Sequence, residues 1–164
     1  MTLDRLWAGW RADYVGSVGA ELDAGDCLFC VLAESEPDEA LVVARSDRTF
    51  AVLNAYPYTS GHLMVAPLLH EAELDALGPE DAAALMSMTQ RACTAVKAAY
   101  SPDGLNVGAN LGRAAGAGVT GHLHVHVVPR WAGDTNFMTA AAEARVLPES
   151  LPATLERLRG SWPA

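Results

Sequence analysis

Apolar and polar positions along the chain come first in short strand-like runs and then at helical spacing. Leu41–Arg45 (LVVAR) and Phe50–Leu53 (FAVL) are β-branched and aromatic, and the polar Ser46-Asp47-Arg48 between them predicts a hairpin turn. Gly61–Pro67 (GHLMVAP) predicts a third strand stopped by proline. From Glu71 the pattern becomes helical, and Gly78-Pro79 opens a new helix, because proline suits a first turn. Over 79–100, Leu85, Met88, Ala92 and Val96 recur at spacings of three and four, the stripe of a core-facing helix. Cys93 sits in that stripe as a small apolar residue. Leu105–Asn110 predicts a strand, and the glycine-rich 112–121 (GRAAGAGVTG) a loop. His122–Val128 alternates as a strand that Pro129 should end, and a last helix is expected over 152–159. Residues 3–15 read as an amphipathic arm whose Trp7, Trp10 and Tyr14 pack on the core or on a partner, and 16–26 as a loop. Hairpin-linked strands with one long helix imply an α+β domain on an antiparallel sheet.

A length of 164 residues suits one domain, 1–164, with an N-terminal arm at 1–26 and a C-terminal extension at 139–164. Acidic residues exceed basic ones, 20 against 11, for a formal charge of −9. That balance argues against nucleic-acid polymers and anionic membrane surfaces as partners, so an anionic ligand must be held by local groups. No apolar run is long enough for a membrane span, and the first residues lack a signal-peptide stretch. Three cysteines, an odd number, favour a reducing compartment over a disulfide framework, and a cytoplasmic location is expected.

Three of the five histidines stand at i, i+2 and i+4: His122, His124 and His126. In a strand such positions share a face roughly 6.7 Å apart. Leu123, Val125 and Val127 would then pack on the other side. One histidine there would suit a wet sheet face. Three in register imply metal ligation or chemistry on an anion, because crowded imidazoles cost free energy when nothing is bound. The glycine loop just upstream offers unhindered backbone N–H groups to phosphate oxygens, which favours the anion. Elsewhere, Cys27-Leu28-Phe29-Cys30 is a Cys-x-x-Cys pair. A redox role would want a thioredoxin-like βαβ pattern, which is missing, and a closed zinc site would want two more ligands. A pair of buried thiols beside a surface His70 is the plain alternative.

His122-Leu-His124-Val-His126-Val-Val128 resembles the motif of the histidine triad family at every position. Phe50–Asn54, Gly61–Pro67 and Asn110-Leu-Gly112 extend the likeness over roughly 27–138. The segment 128–138 (VPRWAGDTNFM) and the arm Leu6–Arg11 look most like the fragile-histidine-triad branch and bacterial diadenosine tetraphosphate phosphorylases. The resemblance implies a five-stranded antiparallel sheet with one long helix and a C-terminal helix, and a homodimer. It also implies cleavage of phosphoanhydride bonds in dinucleoside polyphosphates, with water or phosphate as acceptor. The alternatives are a nucleoside phosphoramidase on the same fold, or a nucleotide-binding regulatory module with little turnover.

Carried over by position, His124 would be the nucleophile that forms a nucleotidyl-histidine intermediate. His126 and His62 would stabilise the phosphate or the departing group, without a catalytic metal or organic cofactor. Asn54 and Asn110 would orient ribose and phosphate, and Phe50 and Leu53 would line an apolar slot for the base. The loop, through Gly112, Gly118 and Thr120, would cradle the phosphates. Val119-Thr120-Gly121 stands where relatives carry glutamine or serine. Arg130 would meet phosphate or pair with an acidic neighbour. Zinc-containing members use positions matching Cys27, Cys30, His70 and His122, which implies a structural zinc.

Overall fold

The computed structural model describes residues 27–134 and 149–163. The aromatic arm, the loop at 16–26 and the segment 135–148 lie outside the described residues. The elements run α1 (Leu28–Glu34), β1 (Val42–Arg45), β2 (Thr49–Leu53), β3 (Leu63–Pro67), α2 (Pro79–Tyr100), β4 (Gly104–Gly108), β5 (Val125–Arg130) and α3 (Leu151–Gly160). The strands form one sheet in the order β1-β2-β3-β5-β4, with every neighbouring pair antiparallel. This is the expected α+β architecture.

The hairpin turn forms where predicted, with Ser46 Oγ accepting from the Thr49 N–H at 3.1 Å. Beyond it, the period of two in β2 and β3 sorts residues to two faces. Ala51, Leu53, Leu63, Val65 and Val127 pack with Leu85, Met88, Ala92 and Val96 of α2 and Leu155 and Leu158 of α3. Phe50, Val52, Met64 and Ala66 pack on the opposite face with Phe29 of α1. Both faces of the central strands are therefore buried, and each large apolar side chain so enclosed stabilises the fold by roughly 1.5–3 kcal/mol. Cys93 packs against the helix-side cluster, partly buried.

The long helix keeps its predicted bounds. Gly78 stands at its N-cap, Pro79 begins it, and Glu80 and Asp81 place negative charge in the first turn, where the helix dipole favours it. Gly61, at φ +85°, turns the chain into β3 beneath Tyr100, whose Cε2 would lie 2.8 Å from any added Cβ. Only glycine fits there.

Four expectations need correction. The stretch after Glu71 forms only a three-residue 3-10 turn, Leu74–Ala76. The strand expected over Leu105–Asn110 runs from Gly104 to Gly108 and stops short of Asn110. The histidine strand starts at Val125, because the Leu123 N–H donates to the Glu71 carbonyl at 2.6 Å instead of joining the ladder. It also runs through Pro129 to Arg130. The Pro129 carbonyl accepts from Thr59 Oγ1 at 2.9 Å, on the β3 side, where the β3–β5 ladder has already ended at Leu63 and Val127. The missing N–H of proline thus costs no ladder bond. The helix α1 was not predicted. It has seven residues and no side-chain cap, so its stability comes from packing Phe29 into the sheet.

Candidate functional site

The functional side chains gather on the α1 face, at the end of the sheet where β5 begins. Leu123 and Val127 are buried on the helix side and Val125 packs there too, as the alternation predicts. The histidines lie opposite, although only His126 belongs to the ladder. Three histidines one strand-step apart carry three different environments.

His122 is buried and faces the Cys-x-x-Cys pair. Its Nε2–H donates to the Pro67 carbonyl at 2.9 Å, so its Nδ1 must carry the lone pair. That Nδ1 lies 3.2 Å from Cys27 Sγ and 3.7 Å from Cys30 Sγ, and His70 Nδ1 lies 3.3 Å from Cys30 Sγ. The four ligand atoms all fall within 4.8 Å of one another. Two thiols and two imidazoles at these separations fit a tetrahedral zinc site with metal–ligand bonds of about 2.0–2.3 Å. The Pro67 carbonyl fixes the ligating tautomer of His122 from outside the set. Without a metal, burial and the neighbouring Cys27 thiol push Cys30 up to about 11. Burial likewise holds His122 below the ordinary imidazole value, ready to ligate in its neutral form.

His124, also buried, donates its Nδ1–H to the His122 carbonyl at 2.9 Å. The carbonyl can only accept, so the lone pair of neutral His124 sits on Nε2. Burial lowers its pKa, partly offset by that same bond. A neutral imidazole with an unprotonated Nε2 is a nucleophile. The Phe29 ring stacks on it, with centroids 4.8 Å apart and planes inclined by 28°.

His126 pairs with His62, and the direction of that pair can be derived. The Tyr58 backbone N–H donates to His62 Nδ1 at 3.1 Å, which leaves the proton of neutral His62 on Nε2. His62 Nε2–H then donates to His126 Nδ1 at 3.0 Å. The proton of neutral His126 must therefore sit on its own Nε2. Two adjacent imidazoles, His124 and His126, thus hold opposite tautomers, with ring centroids 5.0 Å apart. One offers a lone pair and the other a proton. The Tyr58 ring lies against His62 at 4.7 Å and His126 at 6.4 Å.

Asn54 is buried at the end of β2, and its Oδ1 accepts from the Tyr56 N–H at 2.9 Å. Its oxygen is committed to the turn, so its amide nitrogen is what it can present to a ligand. Asn110 follows β4, half-buried. The loop curls over the site face, held by buried Ala117 and by Val119, which packs with the Phe29 and Phe50 cluster. It includes a 3-10 turn at Arg113–Ala115, between Gly112 at φ +76° and Gly116 at φ +88°. Gly112 and Thr120 are exposed and Gly118 half-buried.

The structure divides the pair Phe50 and Leu53. Phe50 lies in the α1-side cluster, whereas Leu53 packs in the helix-side core, since positions three apart in a strand have opposite parity. They do not line one slot. Arg130 takes the acidic neighbour, with Nε and Nη2 on Asp134 at 2.6 and 2.7 Å and Nη1 on Asn106 at 2.9 Å. Two residues of the site escaped the sequence reading. Phe29 had a signal, its place between the two cysteines. Tyr58 had none, since its role depends on a backbone N–H.

A HIT domain profile matches residues 36–133. Over 98% of this chain and 85% of its own length, a Mycobacterium tuberculosis protein named AP-4-A phosphorylase is 41% identical. Among solved structures, a zinc-bound histidine triad family protein from Mycobacterium smegmatis superposes with a TM-score of 0.67 at 29% identity. That match covers 83% of this chain and 92% of the other. A hypothetical histidine triad nucleotide-binding protein from Sulfolobus tokodaii gives 0.66 at 29% identity, over 82% and 91% of the two chains. With the three histidines, the sheet and the profile in agreement, the chain belongs to the HIT domain family.

Proposed function

We propose that this chain is an enzyme that cleaves a phosphoanhydride bond of diadenosine tetraphosphate or triphosphate through a nucleotidyl-histidine intermediate. The observation that carries this is the tautomer of His124, whose lone pair lies on Nε2, in a ring 5.0 Å from that of His126, which holds its own proton on Nε2. The likeness to a protein named AP-4-A phosphorylase supports the substrate class. His124 Nε2 attacks the α-phosphorus, forming a P–N bond as the P–O bond to the departing polyphosphate breaks. His126 Nε2–H bonds to the departing or non-bridging oxygen, and His62 holds His126 in that tautomer. Water or inorganic phosphate then attacks the same phosphorus, breaking the P–N bond and restoring the imidazole. The amide of Asn54, with Asn110, orients ribose and phosphate. The backbone of Gly112 and Gly118 and the hydroxyl of Thr120 cradle the chain, and Phe50 supplies the apolar floor.

Cys27, Cys30, His70 and His122 would hold a structural zinc, supported by their tetrahedral separations and by a zinc-bound relative. The metal would supply a crosslink between α1 and the approach to β5, and none of the bond-making. A homodimer fits the exposed edge strand β4, where Val107 is 48% exposed, with Leu111 just beyond the strand at 40%. A single domain and a cytoplasmic location complete the reading, the latter supported by three free cysteines. Among the described residues, no helix is long and apolar enough to cross a membrane.

Product analysis with diadenosine tetraphosphate tests the assignment. ADP beside ATP in the presence of phosphate means phosphorolysis, and AMP beside ATP means hydrolysis. A kcat/KM for adenosine phosphoramidate above that for the tetraphosphate would instead place the chain with the phosphoramidases. No turnover of either would leave a binding module.

A further inference from the structure

The nucleophile needs two constraints, and only one is a hydrogen bond. The bond from His124 Nδ1–H to the His122 carbonyl, 2.9 Å long, fixes one edge of the imidazole. Rotation about that bond still swings Nε2, the attacking atom, through an arc. The Phe29 ring, stacked on the His124 plane at 4.8 Å and 28°, blocks the swing from one side.

Phe29 is itself held hard. It is 1% exposed, meets Phe50 edge-on at 6.3 Å and touches the His122 ring at 5.3 Å. Its neighbours in sequence, Cys27 and Cys30, both belong to the metal-ligand set. The short helix has no side-chain cap, so the position of this ring is set by the two cysteines and by packing. The structure thus brings the metal-holding turn and the reacting imidazole together through a single aromatic face.

We propose that Phe29 is a positioning residue for His124, aligning Nε2 for in-line attack by stacking on its ring. This rests on His124 being the nucleophile. It assigns to the Cys-x-x-Cys turn a part in catalysis exerted through packing, separate from any electronic effect of a metal. Orientation of a nucleophile is worth much to a displacement, and small misplacements cost up to about a hundredfold in rate.

Phe29→Leu keeps apolar bulk but removes the flat face, and Phe29→Met fills the space with a flexible chain. In both, kcat for diadenosine tetraphosphate is expected to fall at least about tenfold while KM stays within roughly twofold, because alignment is lost and binding is not. Zinc content and Tm are measured on the same samples. The ring protons of His124 should also move downfield in the NMR spectrum as the shielding of the stacked ring disappears. Wild-type kcat in both variants would overturn the proposal, as would a kcat loss that merely tracks loss of zinc or of folded protein. Unshielded His124 protons in the wild-type chain would overturn it without any assay. Since the NMR comparison needs no substrate, a wild-type chain inactive on the tetraphosphate would sink the functional reading while the stacking is still decided. A His124→Ala variant with normal turnover would remove the nucleophile assignment itself.

Discussion

His62 Nε2 lies 3.0 Å from His126 Nδ1, and the backbone N–H of Tyr58 on the far side of His62 decides which of the two donates. A main-chain group thereby sets the proton position of a histidine two rings away. Because one chain of bonds serves both residues, their contributions should not add. His126→Ala is expected to lower kcat by about 10²–10³, the usual cost of one lost donor to a developing charge. His62→Ala should cost less, and the double variant little more than His126→Ala alone. Steady-state kinetics on the three variants checks this, and additive losses would mean that the two rings act separately.

Removal of the nucleophile should look different. His124→Ala is expected to abolish the nucleotidyl-enzyme and most of kcat, with nucleotide affinity retained, since Asn54 and the loop are untouched. Acid-quenched reactions with labelled substrate, together with equilibrium binding, separate the two effects.

The purified chain should carry about one zinc, since the four ligands close one tetrahedral site. Chelation should lower Tm, because metal binding free energy appears as folding free energy. Cys27→Ser should lose the metal and lower Tm, with kcat of the chains that remain folded reduced less than about tenfold, as no ligand forms or breaks a bond of the substrate. Elemental analysis and thermal melts measure this. A collapse of kcat in stably folded Cys27→Ser whose His124 protons remain shielded by the Phe29 ring would point to a catalytic metal.

The pH dependence follows from burial. His124 and His122 both titrate below the ordinary imidazole value of 6.5 because burial penalises the imidazolium. The unfolded chain therefore takes up protons near pH 6.5 before the folded chain does. For the metal-free protein, stability should be level above that pH and fall as the medium is acidified through the depressed folded values. The acid limb of kcat should likewise begin below pH 6.5, where neutral His124 is lost. Urea melts and a rate profile from pH 5 to 8 test both; an acid limb centred above 6.5 would contradict a nucleophile shielded by burial.

Gly61→Ala should destabilise by about 1–3 kcal/mol, since an alanine there would be strained at φ +85° and would press its Cβ on Tyr100. A thermal melt within about one degree of wild type would show that the turn relaxes.

Much of this was open to view in the sequence, for identifiable reasons. The 22 residues of α2 repeat their stripe often enough to fix its bounds, and His122, His124 and His126 share a face by the period of a strand. Elements that depend on tertiary contacts escaped. The helix α1 is too short to have a period, and β5 passes through Pro129 because the missing N–H falls on the side where the ladder to β3 has already ended. Stacking of Phe29 on His124 spans 95 residues of chain, and the tautomers follow from single carbonyls and amides. No pattern of side-chain types encodes those.

The four side chains that would hold the metal come from three stretches of chain, at 27–30, 70 and 122. The first and last are 95 residues apart in sequence, so their meeting closes one of the longer loops of the fold. During synthesis the set cannot be complete until residue 122 has emerged, and by then β1, β2 and β3 have already been made. A chain truncated before His122 would hold two thiols and one imidazole and would lack His124 as well. Full coordination and the reacting histidine thus arrive together, two residues apart and just ahead of β5, the strand that closes the sheet.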